Sequence, residues 1–179
     1  FDAVDDAVQD QDAPGRLIDY VMAAGRVDVA IPINLLLRAL RARIVNLTFD
    51  QIGDLFAGLD LFRWRYGDEE KTELLVGPRL RLEAELICRR RLAGSDRELE
   101  CWVDLIEAVR PRAVDRDSEL RFLLDLLQRL DRQGPRAAAY NAGYLRIGQA
   151  LTALRAVHGV EDPSLMLQES NFRRAWLWT

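Results

Sequence analysis

The chain has 179 residues, with 25 basic against 29 acidic side chains, a net charge of −4, 49% hydrophobic residues and 30% charged ones. That length buries most of the surface an unfolded chain exposes without disulfides or a structural metal, and the composition excludes the disordered class. No uncharged apolar run approaches the roughly 20 residues of a membrane-spanning helix, and the aspartate-rich start is unlike a signal peptide, so the expected compartment is the cytoplasm.

Every basic residue except Lys71 is an arginine, which reads first as the signature of a GC-rich coding sequence. The negative net charge weighs against a surface that binds nucleic acid all over, though not against a local basic patch. Cys88 and Cys101 lack CxxC spacing and are expected as reduced, buried thiols. The first residue is Phe1, and residues 174–179 are apolar with no helix-stop signal, so the chain reads as part of a longer polypeptide.

In chain order, Asp2, Asp5, Asp6, Asp10 and Asp12 make residues 1–13 an acidic, flexible lead, because like charges repel. Pro14-Gly15 opens a helix carrying Leu17, Ile18, Tyr20, Val21 and Met22, and Gly25 is expected to end it. After Pro32, a proline tolerated in a first turn, Leu35, Leu36, Leu37, Ala39 and Leu40 predict a second, largely buried helix. Thr48 is a good N-cap for a third, through Leu59, with Phe49, Ile52, Leu55 and Phe56 at helical spacing.

From Leu61 the period changes to two. Phe62, Trp64 and Tyr66 alternate with Arg63 and Arg65, residues 67–70 turn the chain, Thr72 to Val76 return, and Gly77-Pro78 close a hairpin. Leu80, Ala84, Ile87, Cys88 and Leu92 then predict a helix, with Leu82 and Leu86 giving it a second apolar face gripped from the other side. Three helices and a hairpin are the order of a winged helix, expected over residues 14–92.

From 95 to 179 the expectation is a helical array. Ser95 caps a helix with Leu99, Trp102, Val103, Ile106 and Val109, and Asp117 or Ser118 caps another with Leu120, Leu123, Leu124, Leu127 and Leu130. A third runs from Arg136 to His158, with small residues beside Tyr140 and Tyr144. Pro163 starts a last one with Leu165, Met166, Leu167, Phe172 and Trp176. Ala, Gly and Tyr at helix contacts are how TPR-like repeats look.

Little in the chain carries chemistry. GxxxxGK[ST] and GxGxxG are absent, so no phosphate loop is recognisable, and no catalytic residue, metal ligand or cofactor is expected. His158, followed by Gly159, reads as a residue at a helix C-terminus. The pairs Glu83/Glu85 and Asp104/Glu107 read as solvated helix faces.

The one local excess of positive charge is Arg63, Arg65, Arg79, Arg81, Arg89, Arg90 and Arg91. These arginines either pair with Glu69, Glu70, Glu83 and Glu85 or form a surface for an anion or an acidic partner. Reading of DNA is disfavoured, because the third helix offers Asp50, Gln51 and Asp54 and no basic residue to a major groove.

The stretches Ile31-Pro32-Ile33-Asn34-Leu35-Leu36, Phe49-Asp50-Gln51-Ile52, Leu61-Phe62-Arg63-Trp64-Arg65 and Arg79-Leu80-Arg81-Leu82-Glu83-Ala84-Glu85-Leu86-Ile87 resemble the winged-helix region of bacterial STAND NTPases. Asp162-Pro163-Ser164-Leu165-Met166-Leu167-Gln168-Glu169 is similar to the start of their TPR-like sensor arrays. The resemblance implies a non-catalytic regulatory segment, often in antiviral defence. Its winged helix would hold a closed state against a P-loop ATPase core outside this chain, and its repeats would sense a protein or peptide ligand. Related NTPases often set a winged-helix histidine against the nucleotide; residues 1–157 contain none, and Arg79 or Arg81 would have to replace it.

The expected partner-binding residues are therefore Arg63, Trp64, Arg65, Arg79 and Arg81 on the wing side. Phe172, Trp176 and Trp178 would lie on a terminal face that self-associates or takes the next repeat. A winged-helix DNA-binding regulator with a helical dimerisation domain is the alternative, and a small enzyme on a helical bundle is a third reading.

Overall fold

The computed structural model describes residues 13–44, 53–54, 56, 60–67, 73–111, 117–130 and 143–177. Among them the fold is mainly helical with one small antiparallel sheet. The order is α1 (Ala13–Arg26), β1 (Ile31–Pro32), α2 (Ile33–Arg43), β2 (Phe62–Tyr66), β3 (Leu74–Pro78), α3 (Arg81–Arg91), α4 (Ser95–Ala108), α5 (Ser118–Leu130), α6 (Tyr144–His158) and α7 (Pro163–Trp176).

Helix α1 forms where expected, with Leu17, Tyr20, Val21 and Met22 fully buried. Its end differs from the expectation, because Gly25 lies inside the last turn. A Cβ there would stand 2.2 Å from Cγ of Pro78, so this glycine lets α1 lie against β3. The terminating residue is Asp28, in the left-handed region at φ 62°. The Val29 amide donates to Ala24 O and the Asp28 amide to Gly25 O, the paired bonds of a Schellman motif.

The short strand β1 was not foreseen. Ile31 and Pro32 pair with Val76 and Leu75, so the sheet runs β1-β3-β2. Pro32 belongs to this edge strand and also caps α2, with φ −57° and ψ 131°, instead of sitting in the first turn. The hairpin is confirmed but longer than expected, with Phe62 opposite Pro78 and Arg63 opposite Gly77. Gly77 and Pro78 thus belong to the strand. The expected third helix, 48–59, lies mostly outside the described residues.

Helix α4 occupies the centre, packed on α1, α2 and α6. Its N-cap is Gly94 at φ 122°, which puts Ser95 inside the helix and not at the cap. Leu99, Cys101, Trp102, Leu105, Ile106 and Val109 are buried, so the helix inserts on more than one side. Asp104 corrects the solvated-face expectation, being only 5% exposed. It accepts a 2.7 Å hydrogen bond from the Tyr20 hydroxyl and bonds from Nε and Nη2 of Arg43.

Two further arginine clamps tie distant segments together. Arg26 donates through Nη1 to Glu98 at 2.8 Å and through Nε to Glu85 at 2.9 Å. Arg38 donates to the Ala108 carbonyl and to Glu119, whose carboxylate also accepts from the Arg110 amide at 2.8 Å. These groups are satisfied pairs, as buried charges must be.

Helix α5 is capped by Asp117, whose Oδ1 accepts from the Glu119 amide at 3.0 Å. Helix α6 begins at Tyr144; its expected first turns from Arg136 lie outside the described residues. Gly159, at φ 61°, ends it after His158. Helix α7 starts as predicted at Pro163, with Asp162 as N-cap accepting from the Leu165 amide at 2.9 Å. It packs on α6 and on α5.

Candidate interaction surface

Sheet alternation sets the faces of the hairpin. Phe62, Trp64 and Tyr66 share one face, opposite Pro78, Val76 and Leu74, while Arg63 and Arg65 share the other. Phe62 and Val76 are buried, which anchors the base of the hairpin, and Trp64 rests its ring edge-on to Phe56 at 4.9 Å. Arg63, Trp64, Arg65 and Tyr66 remain exposed toward the tip.

Arg79 stands at the opposite end of the hairpin, its amide donating to Leu61 O. Its guanidinium bridges Asp60 at 2.9 Å and Glu83 at 2.7 Å, so much of its charge is used within the surface. Arg81 opens α3 and is exposed. Arg63 and Arg65 thus lie on β2, while Arg79 and Arg81 lie at the junction of its partner strand β3 with α3.

The outer face of α3 corrects the sequence reading. Ala84 and Cys88 are buried toward α1, but Leu82 and Leu86 are 68% and 56% exposed, and no described element grips them. Leu80 is exposed beside them. Arg89 and Arg90 follow within a turn; Arg89 holds Glu85 at 3.0 Å. Single exposed leucines need no explanation, but two on one helical stripe amid arginines make a continuous patch. Their four-residue spacing is the signal the sequence carries, and it marks an apolar stripe without telling a packed one from a bare one.

Sequence reasoning also missed a cleft of about 340 Å³ where the hairpin tip faces α5. Its walls include Asp28, Arg65, Tyr66, Arg121 and Asp125, which join only in three dimensions.

At the other end of the molecule, Phe172 is 1% exposed and packs edge-on against Tyr144 at 5.5 Å. It is core, not part of a terminal face, because α7 turns it inward onto α6. Trp176 is the last residue of α7, and Trp178 lies outside the described residues. Val157 on α6 and Met166, Leu167 and Leu177 at α7 are exposed apolar residues here.

Glu169 ties α7 to α6. Burial pushes its carboxyl upward, but hydrogen bonds from Thr152 and Arg155 and the charges of Arg155 and Arg173 outweigh this and hold it below the usual carboxylate range. Burial likewise pushes the Cys88 thiol up to about 12 and raises Cys101, so neither is a nucleophile at neutral pH.

Among the described residues no group of three or more His, Cys, Asp or Glu side chains is placed to hold a metal ion, and no helix is long and apolar enough to cross a membrane. No family model, curated protein or solved structure matches this chain.

Proposed function

We infer that this chain is a non-catalytic, protein-binding regulatory segment, and that it serves a STAND-type signalling ATPase of the cytoplasm. In that reading a winged helix holds a closed state and a helical array senses a ligand. The observation that carries the protein-binding part is the exposure of Leu80, Leu82 and Leu86 at α3 together with the exposed arginines of α3 and β2. Apolar patches rimmed by charge are what protein interfaces offer, with arginine and aromatic residues as the anchors.

Two features support the finer reading. Helix, short strand, helix and hairpin follow one another with strand order β1-β3-β2, as in a winged helix. Helices α6 and α7 pack as consecutive neighbours with Gly148 at their contact, where an added Cβ would come 3.3 Å from Cγ of Arg173, in the manner of TPR-like pairs.

The test is a pull-down of the purified chain against the P-loop ATPase core encoded with it, with ADP or ATP present. The proposal expects nucleotide-dependent capture that is lost when Arg63, Arg65, Arg79 and Arg81 are all replaced by alanine. Absence of an encoded ATPase core, or tight salt-sensitive binding of the chain to duplex DNA instead, would contradict it.

A further inference from the structure

Strand β2 is an edge of the sheet, since the order β1-β3-β2 leaves one side of it without a described neighbour. The hydrogen bonds at the two ends of the hairpin fix the phase of that edge. The Arg79 amide donates to Leu61 O and the Gly67 amide to Glu73 O, each at 2.9 Å, so residues 61, 63, 65 and 67 turn their main-chain groups toward β3. Phe62, Trp64 and Tyr66 accordingly point theirs the other way, to the outer edge. Phe62 is buried, but residues 63–66 are exposed, so an incoming strand can reach the edge there.

The side chains say which strand fits. Arg63 and Arg65 lie two apart on one face, and among the described residues neither has a carboxylate partner, unlike Arg79 and Arg89. On an antiparallel neighbour, the residues facing these two arginines occupy non-hydrogen-bonded pairs, where Cα atoms approach to about 4.5 Å and side chains lie closest. Opposite charges there stabilise the pairing, and like charges oppose it. The residue facing Trp64 emerges on the other face, beside the indole that already rests on Phe56. A second copy of this chain is a poor occupant, because pairing two β2 strands about Trp64 sets Arg63 of one against Arg65 of the other. The arginines thus guard the edge against self-association while leaving it open to an acidic strand.

We propose that β2 takes an antiparallel strand from a partner protein, with acidic residues facing Arg63 and Arg65 and an apolar residue between them facing Trp64. Main-chain bonds to Trp64 supply the adhesion, and the pairs of arginine with carboxylate supply the selection. The inference rests on the protein-binding reading, but at β2 alone, and it requires neither a nucleotide nor the leucines of α3.

The experiment titrates the full chain with a capped peptide, acetyl-Thr-Val-Glu-Val-Glu-Val-Thr-amide, and follows amide signals and hydrogen exchange by NMR. The expected result is saturable binding that slows exchange of the Trp64 amide about tenfold or more, because that amide gains an acceptor. Methylating the nitrogen of the central valine should abolish binding, whereas methylating that of either glutamate, which points away from β2, should not. Arg63→Glu/Arg65→Glu should weaken binding about tenfold or more, and a peptide with lysine for both glutamates should prefer that variant to the parent chain. The peptide changes read the same contact with the protein unaltered. Absence of binding at millimolar peptide would overturn the proposal, as would binding that leaves Trp64 exchange unchanged or survives methylation of the central valine. Protection of Trp64 that arises without peptide and rises with chain concentration would overturn it too, since a second copy would then fill the edge. None of these outcomes touches α3, where Leu82→Ser/Leu86→Ser tests the protein-binding reading separately.

Discussion

Tyr20 and Asp104 are 2.7 Å apart in the core, and the sequence marks neither as a pair. Burial, followed by the Asp104 charge and hydrogen bond, raises the Tyr20 hydroxyl above its usual 10.0. The unfolded chain releases that proton near its usual value while the folded chain keeps it, so stability declines as pH rises above about 10. The variant Tyr20→Phe should lose about 1–3 kcal/mol at neutral pH, because Asp104 stays buried with one donor fewer. It should also show a weaker decline above pH 10; urea unfolding followed across alkaline pH reads both. Asp28 makes a second case. At φ 62° a β-branched side chain is strained, so Asp28→Val should cost about 1–2 kcal/mol, whereas Asp28→Gly should be near neutral in the same assay.

At the scale of elements, glycines set how closely helices approach. Gly25→Ala would drive its Cβ into the ring of Pro78, a rigid neighbour on a paired strand. Gly143→Ala would meet a terminal methyl of Leu99 at 2.7 Å, which rotates aside at less cost. The expected order in thermal melts is a loss of about 1–3 kcal/mol or more for Gly25→Ala and a smaller loss for Gly143→Ala. Helices α1, α2 and α7 and the hairpin were legible in the sequence, because period, caps and turn residues agree there. Strand β1 was not, since two residues ending in proline resemble a helix start and only the distant Val76 and Leu75 make them a strand. The outer face of α3 was misread for a related reason: leucine spacing reports an apolar stripe but not whether anything packs on it.

Across the whole molecule, α4 joins what the sequence divides at residues 92–95, and its buried carboxylates carry the connection. Glu98 and Asp104 sit at positions that look solvated in a helical projection, and their partners Arg26, Tyr20 and Arg43 come from α1 and α2. Removing the cation at one such site strands the buried acid. Arg26→Ala is accordingly expected to cost about 3–5 kcal/mol, measured by urea unfolding, far beyond an exposed arginine such as Arg90. The clamps hold α1 and α4 in place, and the hairpin and α3 present their exposed residues from that rigid base. The interaction surface was therefore only half legible: its arginines stand out in the composition, but the leucines that complete it emerge only once the inner face of α3 is seen to be filled by Ala84 and Cys88.

The central claim is that α3 and the hairpin bind protein, and the most direct measurement is calorimetric titration of this chain with the partner proposed above, a P-loop ATPase core of the same polypeptide. Leu82→Ser/Leu86→Ser should leave stability nearly unchanged, because both side chains are already exposed. The account predicts that the same double variant weakens binding at least about tenfold, as loss of an apolar interface centre does. Equal affinity for the variant and the parent chain would contradict it.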